Sequence, residues 1–347
     1  MTRRVASFVA LAAGAGALAA TAAAHAVPAQ SALDPAGPQA AHIQSLWHLM
    51  LGLCTLVFVL VVATAWTAVL RHRRHRSEAD APDLADDPRR AHRLTRNVGV
   101  ATALSAVGLL ALVVASVATD RALAGLPHED ALHIEITGHQ WWWEVRYDDK
   151  DVSKVFDTAN EIHIPVGRTV AITLKADDVI HSFWVPNLHG KKDLIPGRTN
   201  TTMLRADAPG IYRGQCAEFC GYQHAWMGML VVADPPDEYA RWEAAQRATA
   251  PEPTDATIAE GRHIFESTTC AMCHAVQGTR ANAHRAPDLT HVASRRTLAA
   301  VALDNTPANR AAWVQDPQRF KPGSNMPPVQ LPPEQLGPLL AYLGSLQ

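Results

Sequence analysis

A chain of 347 residues has room for two or three domains, and a hydrophobic content of 48% beside a formal net charge of -2 gives no charge excess that would point to nucleic acid. Of its five cysteines, Cys216, Cys220, Cys270 and Cys273 fall in two motifs. Cys54 stands alone in an apolar run and reads as a small buried hydrophobe.

In chain order, Arg3 and Arg4 precede an Ala-rich apolar stretch that reaches Ala24-His25-Ala26. That is the layout of a secretory signal peptide with a small-x-small cleavage site, so residues 1–26 read as a signal segment, with a retained membrane helix as the alternative. Trp47 to Leu70 and Val98 to Thr119 carry no acidic or basic side chain and are each long enough to span a bilayer. Between them lie Arg71, Arg73, Arg74, Arg76, Arg89, Arg90, Arg93 and Arg96. The positive-inside rule sets that loop in the cytoplasm, making residues 27–121 a transmembrane hairpin with both ends outside.

From Ala131 to Asp234 the segments shorten and fill with Val, Ile, Thr and aromatics, punctuated by Gly, Pro and Asp. IEITGHQWWWEVRY, EIHIPV, RTVAITLKA, TNTTMLRA and GMLVVA read as strands of a sandwich or barrel. On a strand, Trp141 and Trp143 point to one face and Trp142 to the other. Acidic residues outnumber basic ones between Asp120 and Ala250, which would attract a basic redox partner.

The stretch GQCAEFCGYQHAWMGM brings Cys216, Glu218, Cys220, His224 and Met227 together. Soft thiolate and thioether ligands favour copper, zinc or iron–sulfur over calcium or magnesium. A Met beside Cys and His belongs to copper electron-transfer sites, and the Cys-x3-Cys spacing does not match ordinary zinc modules. A disulfide between Cys216 and Cys220, or a zinc site, is the simpler alternative. DDVIHSFWVP supplies a second imidazole, His181.

The segments GHQWWWEVRY, DDVIHSFWVPNL, KKDLIPGRTN and CAEFCGYQHAWM closely resemble subunit II of haem-copper cytochrome c oxidases, in order and spacing, from about Ile43 to Glu238. The resemblance implies a cupredoxin-like Greek-key barrel over residues 122–238 holding the binuclear copper A centre. It makes Cys216 and Cys220 bridging thiolates, gives His181 and His224 one copper each, and makes Met227 and the Glu218 carbonyl the weak ligands. It also implies that the Glu218 side chain reaches a magnesium at the border with subunit I, and that Trp141 is an exposed entry point for electrons from cytochrome c. His139, His163 and His189 have no such company and read as structural or surface residues.

Residues 239–256 read as a linker that begins with a helix and ends in Ala250-Pro251-Glu252-Pro253-Thr254. Beyond it, Cys270-Ala271-Met272-Cys273-His274 is the attachment motif of c-type haem, with His274 as the proximal iron ligand. Met326, in a proline-rich loop, resembles the sixth ligand of class I cytochromes c. Helices over Ala259–Glu266 and Pro333–Leu346 would bracket an all-α domain over residues 257–347. Pro287 resembles the proline whose carbonyl orients the proximal His. Arg285, Arg295 and Arg296 read as surface charges or as partners of haem propionates.

A fused cytochrome c is characteristic of caa3-type oxidases. That resemblance implies an electron-entry subunit in a bacterial plasma membrane, with its copper and haem domains on the outer face. It further implies a subunit I carrying haem a, haem a3 and copper B, a subunit III, and a cytochrome c or another respiratory donor. The alternatives are a nitric-oxide-reducing haem-copper complex and a membrane-anchored shuttle. The family's Glu near the start of the second membrane helix is absent here, where Asn97-Val98-Gly99-Val100 stands.

Overall fold

The computed structural model describes residues 30–74, 87–126 and 129–347. The signal segment, and the stretch with Arg76 that joins the two apolar runs, lie outside the described residues. The apolar runs form the centres of two longer helices, α1 (Pro38–Arg74) and α2 (Pro88–Leu123). An absence of charge marks only the part of a helix that lipid would cover, and both helices continue through polar residues at their ends. The Asp87 side chain caps α2 by accepting from the Arg89 N–H. Among the described residues no protein covers the outward-facing apolar side chains of both helices, which is the surface a bilayer covers. Cys54 lies on this exposed surface and not in a core, because its helix has no protein layer around it.

The start of α1 is tied to the β domain. The Ala36 N–H donates to Asn187 O at 2.7 Å and the Ala40 N–H to Leu188 O at 3.2 Å, while Ala36 O accepts from the Asp207 N–H at 2.8 Å. The membrane anchor and the β domain therefore meet through main-chain bonds.

Ten strands follow: β1 (Leu132–His139), β2 (Trp142–Asp148), β3 (Phe156–Ala159), β4 (Glu161–Pro165), β5 (Val170–Ala176), β6 (His181–Trp184), β7 (Lys192–Leu194), β8 (Asn200–Leu204), β9 (Gly210–Cys216) and β10 (Gly228–Asp234). They form two five-stranded sheets, ordered β3-β2-β1-β5-β8 and β4-β10-β9-β6-β7. The alternation of apolar and polar residues along β1 appears as alternating burial, with Ile134 and Ile136 in the core. Ile162, Ile164, Ile172, Leu174 and Phe183 fill the space between the sheets. The domain is a cupredoxin-like sandwich, and Cys216, Cys220 and Met227 close one end of its core.

The tryptophan triplet departs from the expected strand. The chain reverses at Gln140–Trp141, so Trp141 sits in the hairpin turn between β1 and β2. Trp143 alone enters the core, fully buried and edge-on to His181 at 6.0 Å between ring centroids. Trp142 stacks on His139 at 4.4 Å.

Helix α3 (Pro236–Gln246) leads to an α domain of α4 (Ala256–Ser267), α5 (Pro307–Gln315) and α6 (Pro333–Ser345). A two-residue ladder, Thr297–Leu298 with Leu303–Asp304, is its extended part among the described residues. Asp255 caps α4 by accepting from the N–H groups of Thr257 and Ile258. Helices α4 and α6 cross at Gly261, where a Cβ would collide with the Pro338 carbonyl, and Phe265 meets Tyr342 at 5.8 Å beside the crossing. Gly261→Val is expected to destabilise this domain by about 1–3 kcal/mol, because backbone and not a flexible side chain must give way. A lower urea midpoint for the domain, with the β domain unchanged, is the measurement.

Candidate copper and haem centres

Strand β9 ends on Cys216, β6 begins on His181, and the loop from β9 to β10 supplies the other copper candidates. The two sulfurs lie 3.8 Å apart, too far for a disulfide and both free. His181 Nδ1 stands 3.9 Å from Cys216 Sγ, and His224 Nδ1 stands 3.6 Å from Cys220 Sγ. Met227 Sδ lies 3.8 Å from Cys220 Sγ, and the Glu218 carbonyl lies 3.2 Å from Cys216 Sγ. The ligand atoms of His181, Cys216 and Cys220 are all within 4.8 Å of one another, and His224 falls outside that group. With His224 outside the group that one ion could gather and a thioether beside the sulfurs, the donor set would suit a pair of copper ions better than one tetrahedral zinc.

Outer groups aim these ligands. His181 Nε2 donates to Asp178 Oδ1 at 2.8 Å, which leaves Nδ1 free to face the sulfurs. Burial alone would lower the His181 pKa, but the Asp178 carboxylate and Cys216 outweigh it and raise it. Within the sulfur pair, the bond from Cys220 holds Cys216 down at about 4, and the Cys220 thiol is pushed up because the two share one proton. The indole of Trp141 and the amide of Gln140 donate to the Cys220 carbonyl at 3.0 and 2.8 Å.

The Glu218 carboxylate pairs with Lys191 at 3.1 Å. Among the described residues the His181, Cys216 and Cys220 group is the one cluster of such side chains able to hold a metal, so the expected magnesium finds no support. Trp141 is half-buried and not exposed, because the α domain rests on the hairpin turn that carries it.

In the α domain, Cys270 lies in the short helical turn Thr269–Met272, with Cys273 and His274 directly after it. His274 Nδ1 bonds the Pro287 carbonyl at 2.7 Å, so the family's orienting proline holds and Nε2 is left for iron. Burial lowers the His274 pKa and favours the neutral, ligating imidazole. The turn after α4 and the segment Pro327–Leu331 line one cavity of about 860 Å³. Met326, directly before that segment, is half-buried on a loop that Gln318 organises, its amide donating to Ser324 O at 2.9 Å and Met326 O at 2.8 Å and accepting from the Gly323 N–H at 2.8 Å. Arg295 is not a surface charge. Its Nη2 donates to Asp288 O and Thr158 Oγ1, and its buried Nε has no partner, as an arginine awaiting an anionic group would. The Cys270 and Cys273 sulfurs and the oriented His274 imidazole fit a covalently held haem c, with Met326 the candidate distal ligand.

The histidines set apart from these ligand sets are structural. His139 pairs with Glu144 and Asp177. His189 is partly buried, which lowers its pKa, and its Nδ1 has no partner. His163 lies between Asp234 at 2.6 Å and Glu161 at 3.2 Å and stacks on Trp242. Burial would lower the His163 pKa, yet the two carboxylates raise it. A raised folded pKa adds stability that is complete below the unfolded value of about 6.5 and fades as pH climbs through the folded value. The β domain is thus expected to lose thermal stability as pH rises above about 6.5, and His163→Gln to flatten that slope in melting curves taken across pH.

Residues 150–234 match the family described as cytochrome c oxidase subunit II, periplasmic domain, and residues 258–347 match cytochrome c. Cytochrome c oxidase subunit 2 of Alkalihalophilus pseudofirmus is 35% identical over 326 residues, 91% of each chain. That of Bacillus sp. strain PS3 is 32% identical over 265 residues, covering 71% of this chain and 73% of its own. The crystal structure of the periplasmic domain of subunit II of the Bradyrhizobium japonicum oxidase, 32% identical, covers 35% of this chain and 96% of its own at a TM-score of 0.33. By the identity and coverage of the first two relatives the chain belongs to the cytochrome c oxidase subunit 2 family, as a membrane-anchored subunit of the oxidase with a C-terminal cytochrome c domain.

Proposed function

We propose that this subunit takes electrons from a cytochrome c or another respiratory donor at a haem c held by Cys270, Cys273, His274 and Met326. They pass to a binuclear copper A centre held by His181, Cys216, Glu218 O, Cys220, His224 and Met227, and on to the haem a, haem a3 and copper B of subunit I. There O2 is reduced to water with proton translocation, in a complex that also contains subunit III. The copper and haem domains lie on the outer face of the bacterial plasma membrane.

The observation that carries this reading is the contact between the two ligand-bearing loops. Gln223, one residue before His224, donates to Pro322 O at 2.5 Å, and the Lys321 ammonium reaches Trp226 O at 2.9 Å, one residue before Met227. When bound, the haem iron and the copper pair each supply a one-electron couple. The chain's own residues hold both ligand sets rigidly, so little rearranges as charge moves. Trp141 serves this path as a link between the haem loop and Cys220, since Lys321 occupies its carbonyl and Cys220 its indole.

The test is optical and EPR spectroscopy of the purified complex, with copper and haem counted per subunit. Two coppers sharing one unpaired electron, one low-spin haem c, and oxidation of that haem by the copper centre after rapid reduction are expected. A single zinc at Cys216 and Cys220 would overturn the copper path.

A further inference from the structure

Lys321 opens the loop that ends at Met326, and its side chain leaves its own domain. It is 3% exposed, and its ammonium donates to three main-chain carbonyls: Trp141 at 2.8 Å, Trp226 at 2.9 Å and Ala299 at 3.2 Å. No carboxylate pairs with it among the described residues, but an ammonium has three donors and each finds an acceptor. Burial pushes its pKa down to about 7.

The three carbonyls come from three different segments, which Lys321 gathers at one point. Trp141 is in the hairpin turn whose indole holds the Cys220 carbonyl. Trp226 directly precedes Met227 in the copper loop. Ala299 begins a turn of the α domain in which Ala299, Ala300 and Val301 take φ of 55°, 57° and 69° in succession. Three adjacent left-handed residues without a glycine are disfavoured and persist only where their surroundings dictate them. The surroundings here are the β domain: Ala300 O accepts from the Gly228 N–H at 3.1 Å, beside Met227, while Ala299 O accepts from Lys321. Asn325 Nδ2 to Gln140 O, at 3.2 Å, extends the same seam towards Met326.

An apolar side chain would hold two domains together as well as a buried ammonium, without the cost of desolvating a charge. Three directed N–H bonds add orientation, since they are satisfied in a single arrangement of the domains. We propose that Lys321 is the positioning residue that locks the haem domain in the register from which it delivers electrons to the copper centre, by tying the Met326 loop to the Trp226–Met227 segment. The inference rests on the proposed path from haem c to copper A.

The experiment uses the intact oxidase complex and an attached or soluble photoreductant that places one electron on haem c within microseconds. Lys321→Met is expected to slow haem oxidation by copper roughly tenfold or more, as small misplacements of reacting groups do. Both midpoint potentials and the copper EPR signal are expected to stay at their unsubstituted values. Transfer at the unsubstituted rate overturns the inference, and so does a slowing that comes with a shift of either potential, which would place the effect in driving force. Absence of transfer in the unsubstituted complex would instead overturn the path itself.

A second measurement needs no variant. Reductive methylation of the native complex, read by mass spectrometry, is expected to spare Lys321 while modifying exposed Lys150 on the same chain. Equal labelling of the two overturns the buried seat, and it decides the matter if Lys321→Met fails to hold copper.

Discussion

Serine in place of Cys216 is expected to abolish the shared copper centre, leaving at most one copper per chain and no signal spread over two equal nuclei. The reason lies in the layout of the donors. Each sulfur has its own imidazole, His181 beside Cys216 and His224 beside Cys220, so a two-ion centre would depend on both sulfurs together. A serine hydroxyl is a hard donor that stays protonated at neutral pH and cannot bridge soft copper. Electron delivery is expected to fall by more than the roughly 10–100-fold that loss of an outer hydrogen-bond partner costs at a metal site. Asp178→Asn supplies that comparison, since it keeps every ligand while weakening the bond that orients His181, along with the carboxylate's bonds from the Gln140 and Val179 N–H groups. Metal analysis and EPR of both variants separate loss of a ligand from loss of its alignment. If Cys216→Ser retains two coppers, the sulfur pair is not the bridge.

Most of this site was legible because its ligands are close in sequence. Cys216, Cys220, His224 and Met227 announce soft-metal chemistry by residue type and spacing, His181 follows as the second imidazole, and only the Glu218 carbonyl needed the family resemblance. Asp178 was also within reach, as an acid three residues before a ligating His, but nothing in the sequence says which acid in a loop faces which ring nitrogen. The turn at Gln140–Trp141 was missed because it contains no Gly, Pro, Asn or Asp to mark a reversal. Alternation along a strand then assigned Trp141 to the wrong element. Helix α5 was missed despite a readable start, Thr306 followed by Pro307, with the Thr306 hydroxyl accepting from the Asn309 N–H.

The seam between the domains had no sequence signal at all. A lysine in Lys321-Pro322-Gly323 looks like a solvated turn residue, and Ala299 to Val301 like ordinary chain. Their roles depend on which faces of the two domains meet, which local pattern does not encode. The same holds for Arg295, whose burial comes from Thr158 of the other domain. Sequence pattern reported each domain's own chemistry well and the junction between them poorly, and electrons on the proposed path must cross that junction.

Histidine in place of Met326 is expected to lower the potential of haem c enough to make it a poor acceptor from its external donor, while strengthening it as a reductant of copper. A Met and His pair raises the potential relative to other axial sets, and axial ligands move it over a range of about 0.8 V. A fall of only about 0.2 V would change the equilibrium for one electron by more than three decades, at about 59 mV for each factor of ten. The loop should tolerate the exchange, because its shape is set elsewhere. Gln318 holds Gly323, Ser324 and the Met326 carbonyl, Gly323 takes the left-handed φ of 82° that suits glycine, and prolines flank the segment on both sides. The copper ligands sit in another domain and are untouched, so the copper EPR signal should not change. A redox titration of the haem absorption then isolates the effect: once rapidly reduced, the haem should pass its electron to copper at least as completely as before, while its reduction by an external cytochrome c-type donor should fall steeply. An unchanged haem potential would mean that Met326 does not bind the iron, and the distal ligand would have to be sought among the other residues of the Lys321–Leu331 segment.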